Sequence, residues 1–223
     1  VKPPLAYSFA KEKIMNNTTK RILTALVMIA IAGIAALAEH FGIPAVQWLA
    51  VAIAAIMVFE TMRLKIKDKK LCGLRVALGA WLIFVGISAY FVGAKPWVML
   101  LLLVTIVAAD VGAWFFGHLL GGDKMWEKLS PGKTWSGQIA GIICGTLATV
   151  LYGLLGTDTF LPQLMWIGIS VSLLSQYGDL AASWVKRKLG IKDFGNTLPG
   201  HGGLLDRFDG WIFVLPIVWL VMI

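Results

Sequence analysis

Apolar positions run through this chain in blocks too long for the interior of a small soluble domain, at roughly 21–39, 45–62, 76–94, 96–119, 135–156, 161–182 and 204–223. Short polar connections separate them. Because about 20 helical residues cross the ~30 Å hydrocarbon core of a bilayer, the pattern predicts an all-α, polytopic helical bundle of about seven transmembrane helices. The third and fourth spans are divided only by the turn at Gly93–Pro96. The last span reaches about 30 Å only if it begins near Leu204. Three regions follow: a terminal segment 1–20, a first group of helices 21–95, and a C-terminal membrane region 96–223 with loops at 120–134 and 183–203.

Composition agrees with that class, with 58% hydrophobic residues and a mean hydropathy of +0.80. The formal charge of +8 comes from 20 Lys and Arg against 12 Asp and Glu. In a soluble protein that excess would be compatible with nucleic-acid binding, but here it sits in alternate connections. Lys11, Lys13, Lys20 and Arg21 precede the first span; Arg63, Lys65, Lys67, Lys69, Lys70 and Arg75 lie around the second loop. Lys124, Lys128 and Lys133 are in the fourth loop and Lys186, Arg187, Lys188 and Lys192 in the sixth, whereas the first, third and fifth hold only Lys95. Basic loops stay in the cytoplasm, so the N-terminus is expected there, the C-terminus outside, and no nucleic-acid partner is expected. Residues 1–14 have neither an apolar core nor a small-residue cleavage site and do not read as a secretory signal, while Met15 is compatible with a start. Cys72 and Cys144 suggest neither a disulfide nor a thiolate metal site.

Candidate chemistry gathers in 183–209, where charged residues interrupt two apolar runs. Asp179, Ser183, Lys186 and Arg187 fall on one helix face, giving a basic helix end suited to phosphates. Pro199 and the glycines around His201 make a loop able to approach a ligand closely. Asp206 and Asp209, at i and i+3, can face one cation. Basic residues alone also fit a solvated loop; carboxylates at membrane depth are costly and point to function. The expected topology brings Asp110 and Asp179 to the same edge as Asp206 and Asp209. In the fourth loop Gly132-Lys133-Thr134 is no P-loop, since Glu127 occupies the place of the required glycine. Ser130, Lys133 and Thr134 remain candidate phosphate donors at the start of the fifth helix. Gly137, Gly141 and Gly145 form a small-residue stripe expected to be a close helix contact. Glu60 is expected to pair with the basic loop after it, and His40 and His118 to sit at the membrane interface.

One long pattern is far more specific than any of these signals. Ser183-x-Val185-Lys186-Arg187, Lys192-Asp193-x-Gly195 and Leu198-Pro199-x-His201-Gly202-Gly203-Leu204-x-Asp206-Arg207-Phe208-Asp209 resemble the signature of the CDP-diacylglycerol synthases, the phosphatidate cytidylyltransferases. Ser130-Pro131-Gly132-Lys133-Thr134 also resembles that family, whose pattern there is close to S-P-x-K-T-x-E-G. The similarity is strong over Asp110 to Asp209, and the N-terminal half looks shorter than in bacterial members. Ser136 and Ala182 depart from the acidic or amide residues usual at those places. The resemblance implies transfer of cytidylyl from CTP to phosphatidic acid, yielding CDP-diacylglycerol and pyrophosphate for phospholipid synthesis. It implies an enzyme of the bacterial inner membrane with its site on the cytoplasmic side.

On that reading Asp179, Asp206 and Asp209 bind Mg²⁺, with Asp110 a further ligand and a second cation left open. Lys192 joins the three aspartates as catalytic; Lys133, Ser130, Thr134, Ser183, Lys186, Arg187, His201, Gly202, Gly203 and Arg207 bind substrate phosphates. Membrane lipids are the surrounding partners, and a homodimer is left open. The alternatives are a CTP-dependent polyprenol or dolichol kinase and, in a different class, a cation transporter.

Overall fold

The computed structural model describes residues 5–64, 69–127, 129–156, 161–200 and 202–223. Among them stand seven α-helices: α1 (Leu5–His40), α2 (Ala45–Arg63), α3 (Cys72–Gly93), α4 (Pro96–Leu120), α5 (Trp135–Gly156), α6 (Leu161–Lys188) and α7 (Trp211–Met222). A two-stranded antiparallel hairpin, β1 (Lys124–Trp126) and β2 (Ser130–Thr134), joins α4 to α5. Five helices are long and apolar enough to cross a membrane: Thr18–His40 of α1, then α2, α3, α4 and Trp135–Leu155 of α5. Large apolar side chains such as Ile29, Trp166 and Leu155 face outward, the arrangement of a protein solvated by lipid. The chain is therefore an integral membrane protein built as a helical bundle.

Two spans differ from the expected pattern. Helix α6 has 28 residues, ample for a bilayer, but Ser172, Ser175, Gln176 and Asp179 put polar groups along its length. Helix α7 has only 12 residues, about 18 Å at 1.5 Å per residue, because it starts at Trp211 and not near Leu204. Residues 204–210 instead form successive turns, with Arg207 and Phe208 N–H donating to Leu204 C=O and Trp211 N–H to Phe208 C=O. Asp206 and Asp209 thus lie on a turn ahead of the helix. The hairpin was not legible either: Lys124 pairs with Thr134 and Trp126 with Ser130 across a bulge, so the strands lack a clean two-residue alternation.

Helices α4 and α5 approach closely. A Cβ on Gly137 would stand 2.6 Å from Ala113 O, and one on Gly141 would stand 2.8 Å from Ala109 O. The glycine stripe of α5 is thus a helix contact, where missing side chains let backbones meet. The Thr105 and Thr149 hydroxyls hydrogen-bond at 2.6 Å within this seam. A second body of core joins α2, α3, α6 and α7 around Leu82, Val85, Val92 and Val214, and takes in Phe194, Leu204 and Leu205 from the loop between α6 and α7.

Several candidate site residues come to one end of this bundle. Arg21 Nε of α1 donates to Gly200 O at 2.9 Å, and Lys133 of β2 meets Asp179 of α6 at 2.6 Å. The backbone of Asp209 packs on α6, where a Cβ at Gly178 would lie 2.5 Å from Asp209 O. The start of the apolar part of α1, the last turns of α2, α4 and α6, and the first turn of α5 therefore share an edge, as an up-and-down bundle requires.

Gly137→Ala should destabilise the bundle by about 1–3 kcal/mol, the cost of overpacking a tight contact. Gly33→Ala, whose Cβ meets nothing within 4 Å, should leave the thermal midpoint in detergent unchanged or slightly raised. Equal midpoints for the two variants would contradict the α4–α5 contact.

Candidate active site

At that edge a cavity of about 310 Å³ opens between α4, the hairpin, α5, α6 and the turn before α7. Helix α4 lines it with Asp110, Trp114 and His118, which succeed one another at i, i+4 and i+8 on one face. The hairpin adds Ser130, Lys133 and Thr134; α5 adds Gln138; α6 adds Gln176 and Asp179; Asp209 and Gly210 close it. A second groove of about 370 Å³, between α2 and α3, is lined by residues such as Val51, Leu82, Ile87 and Phe91. It offers phosphates no cationic partner.

Charge in the polar cavity is unbalanced. Lys133 Nζ lies 2.6 Å from Asp179 Oδ2, and Ser183 Oγ donates to Asp179 Oδ1 at 3.4 Å. Asp209 Oδ1 accepts from the N–H of Gly210 at 3.0 Å. Burial, and after it the Asp179 carboxylate, push the Asp209 carboxyl up to about 8, with Lys186 pulling the other way. Three carboxylates thus share a pocket whose lining contains one lysine. Among the described residues no three His, Cys, Asp or Glu side chains are gathered tightly enough to hold an ion by themselves.

Thr134 is largely spent on the fold. Its Oγ1 accepts from the N–H of Gly137 at 3.2 Å, the N-cap of α5, and meets Ser136 Oγ at 3.1 Å. Ser136, one of the two departures from the family pattern, donates to Gly121 O and ties the start of α5 to the end of α4.

The structure separates the two signature aspartates. Asp206 does not line the cavity: its Oδ1 pairs with Lys186 Nζ at 2.9 Å, and its Oδ2 accepts from the N–H groups of Phe194 at 2.8 Å and Gly203 at 3.0 Å. Its side chain is 7% exposed and that of Lys186 13%. This buried pair braces the loop behind the site. Arg187, Lys192 and Arg207 are exposed and do not line the cavity. Gly202 takes φ +86° and bridges to Leu198 at the loop's bend, while Gly203 is buried beside Asp206. His201 lies outside the described residues, as do Lys65, Lys67 and Lys128.

Sequence reading missed several residues here. His118, expected at a span end and found exposed in the last turn of α4, also lines the cavity, its Nδ1 2.7 Å from Trp114 O. Its place eight residues, about two helical turns, after Asp110 carried the signal. Gln176 lies one turn before Asp179, with Nε2 3.4 Å from Gln138 O. Glu60 must be corrected outright. Among the described residues its partners lie elsewhere than the basic loop after it: its carboxylate accepts from the N–H groups of Leu204 at 2.9 Å and Leu205 at 3.1 Å and from the hydroxyl of Thr197. Glu60 is only 6% exposed because it turns into the core, under the 194–205 loop.

Comparison with known proteins covers this region. The pattern of the cytidylyltransferase family matches residues 93–223, which contain every residue lining the polar cavity. The phosphatidate cytidylyltransferase of Staphylococcus saprophyticus is 40% identical over 126 residues, 56% of this chain and 48% of that protein. That of Mycobacterium leprae is 39% identical over 155 residues, 66% of this chain and 48% of its own length. That of Staphylococcus haemolyticus is 36% identical over 171 residues, 74% of this chain and 64% of the relative. The chain spans about half the length of the first two relatives. With the match covering more than half of its residues and all of its polar cavity, this chain belongs to the cytidylyltransferase family.

Proposed function

We propose that the chain transfers the cytidylyl group of CTP to phosphatidate, releasing pyrophosphate and leaving CDP-diacylglycerol in the membrane. The observation that carries this reading is the gathering of Asp110, Lys133, Asp179 and Asp209 around one cavity at the end of a membrane bundle. The names of the relatives support it. The basic connections at this end support a site on the cytoplasmic face, and the bacterial origin of the relatives supports an inner-membrane location.

An oxygen of the lipid phosphate bonds to the α-phosphorus of the nucleotide, and the bond from that phosphorus to the bridging oxygen of the β-phosphate breaks. The nucleophile is already an anion near neutral pH, so no general base is needed. The barrier lies in bringing two anions together and aligning them. Lys133 supplies positive charge inside the cavity, and its contact with Asp179 fixes where that charge stands. The exposed Arg187, Lys192 and Arg207 add positive charge that raises the local concentration of anionic substrates. Ser130, on the cavity wall, offers a hydroxyl donor to a phosphate.

The residues present also fit a divalent cation. Mg²⁺ is commonly held by one or two carboxylates together with substrate phosphates, not by an all-protein cage. Asp179 and Asp209, with Asp110 beside them on the same cavity wall, meet that need. Bound there, Mg²⁺ would offset the charge of the triphosphate and of the leaving pyrophosphate. Asp206 braces the loop that carries Asp209.

Purified chain given CTP, phosphatidate and Mg²⁺ should release pyrophosphate in step with CDP-diacylglycerol, and excess EDTA should stop it. Release of CDP with a phosphorylated alcohol instead would overturn the reading. Two aspartate variants should then part company. Asp209→Asn should lower turnover at least 100-fold while leaving the thermal midpoint unchanged or higher, since it removes repulsion with Asp179. Asp206→Asn should cost about 3 kcal/mol of stability by breaking a buried pair and lose activity with it; matched midpoints for the two would refute this division.

A further inference from the structure

Helix α2 lies outside residues 93–223, the part matched by the family pattern, yet it sends one carboxylate into the loop that precedes the cavity. Glu60 Oε1 accepts from Leu204 N at 2.9 Å and from the Thr197 hydroxyl, and Oε2 accepts from Leu205 N at 3.1 Å. The loop is built to receive it. A Cβ at Gly195 would come within 2.9 Å of Glu60 Oε1, and one at Gly203 within 2.9 Å of Glu60 Oε2. A buried carboxylate is costly unless hydrogen-bonded, and among the described residues its partners Thr197, Leu204 and Leu205 come from the loop.

Leu204 and Leu205 begin the turn that ends in Asp209. Leu204 C=O accepts from the N–H groups of Arg207 and Phe208, and Asp209 C=O accepts from Ile212 N. Fixing the first two amides of so short a turn fixes where the Asp209 carboxyl emerges. Helix α1 holds the same loop farther out: Arg21 Nε donates to Gly200 O at 2.9 Å and Thr24 Oγ1 to Pro199 O at 3.0 Å. We infer that Glu60 is a positioning residue: from outside the family-matched region it pins the start of the 204–210 turn and thereby sets Asp209 against Asp179. Its kinetic consequence rests on the cytidylyl-transfer reading above; the clamp itself does not.

The test uses the full chain in detergent micelles and compares wild type with Glu60→Gln, which keeps one acceptor but turns an N–H₂ donor toward a backbone N–H. Amide hydrogen exchange in peptides covering 198–210 should quicken at least tenfold, with α4 and α5 unchanged. The kcat for pyrophosphate release should fall roughly 10- to 100-fold, with KM for CTP within about threefold of wild type. Unchanged exchange at Leu204 and Leu205 overturns the inference. So does quickened exchange spread through α4 and α5, the mark of a merely structural residue. If the variant cannot be purified, Thr197→Val removes one donor alone and should quicken the same peptides two- to fivefold; no change there is equally fatal. Wild type that releases no pyrophosphate sinks the reaction proposed above, while the exchange data still decide the clamp.

Discussion

Lys133 from the hairpin meets Asp179 from α6 at 2.6 Å, and this contact ties the α4–α5 connection to the polar face of α6. Asp110 of α4 and Asp209 line the same cavity, and burial, with the Asp179 carboxylate after it, pushes the Asp209 carboxyl up to about 8. One lysine cannot balance three carboxylates. Much of the surrounding architecture serves to keep these groups in place.

Each holding device is local and cheap in sequence terms. Small residues on α5 let α4 come near enough for Asp110 and Gln138 to line the same space. Gly178 allows the Asp209 backbone to lie directly on α6, one residue from Asp179. Ser136 ties Gly121 to the first turn of α5, and Thr134 caps that turn. Two buried carboxylates, Glu60 and Asp206, use backbone amides of the 194–205 loop as their partners. The loop has little regular structure of its own, so these side chains stand in for the missing ladder of backbone hydrogen bonds.

The two aspartates of the Asp206-Arg207-Phe208-Asp209 stretch illustrate a division of labour. They share a turn, yet one points back to Lys186 and the loop amides while the other opens on the cavity. Spacing of i and i+3 places two side chains together only in a helix, and this segment is not one. The turn sends them to different surroundings, one into the loop amides and one onto the cavity wall.

What could be read from the residues alone was set by the solvent. Long apolar runs in 21–156 have few fates other than membrane-spanning helices, and the five that are long and apolar enough follow the expected blocks closely. The same holds for the glycine stripe, since three glycines at four-residue spacing in an apolar helix leave a groove that a neighbour will fill. The family was legible because its signature lies in one continuous stretch. The rest depended on contacts between distant segments: Glu60 with Leu204 and Leu205 is a pairing 144 and 145 residues apart, and no local pattern announces it. Nor did spacing reveal that 204–210 turns where a helix was expected, or which aspartate would face the cavity. Those choices belonged to tertiary structure, because a buried carboxylate takes whichever amides the packing of other helices brings within reach.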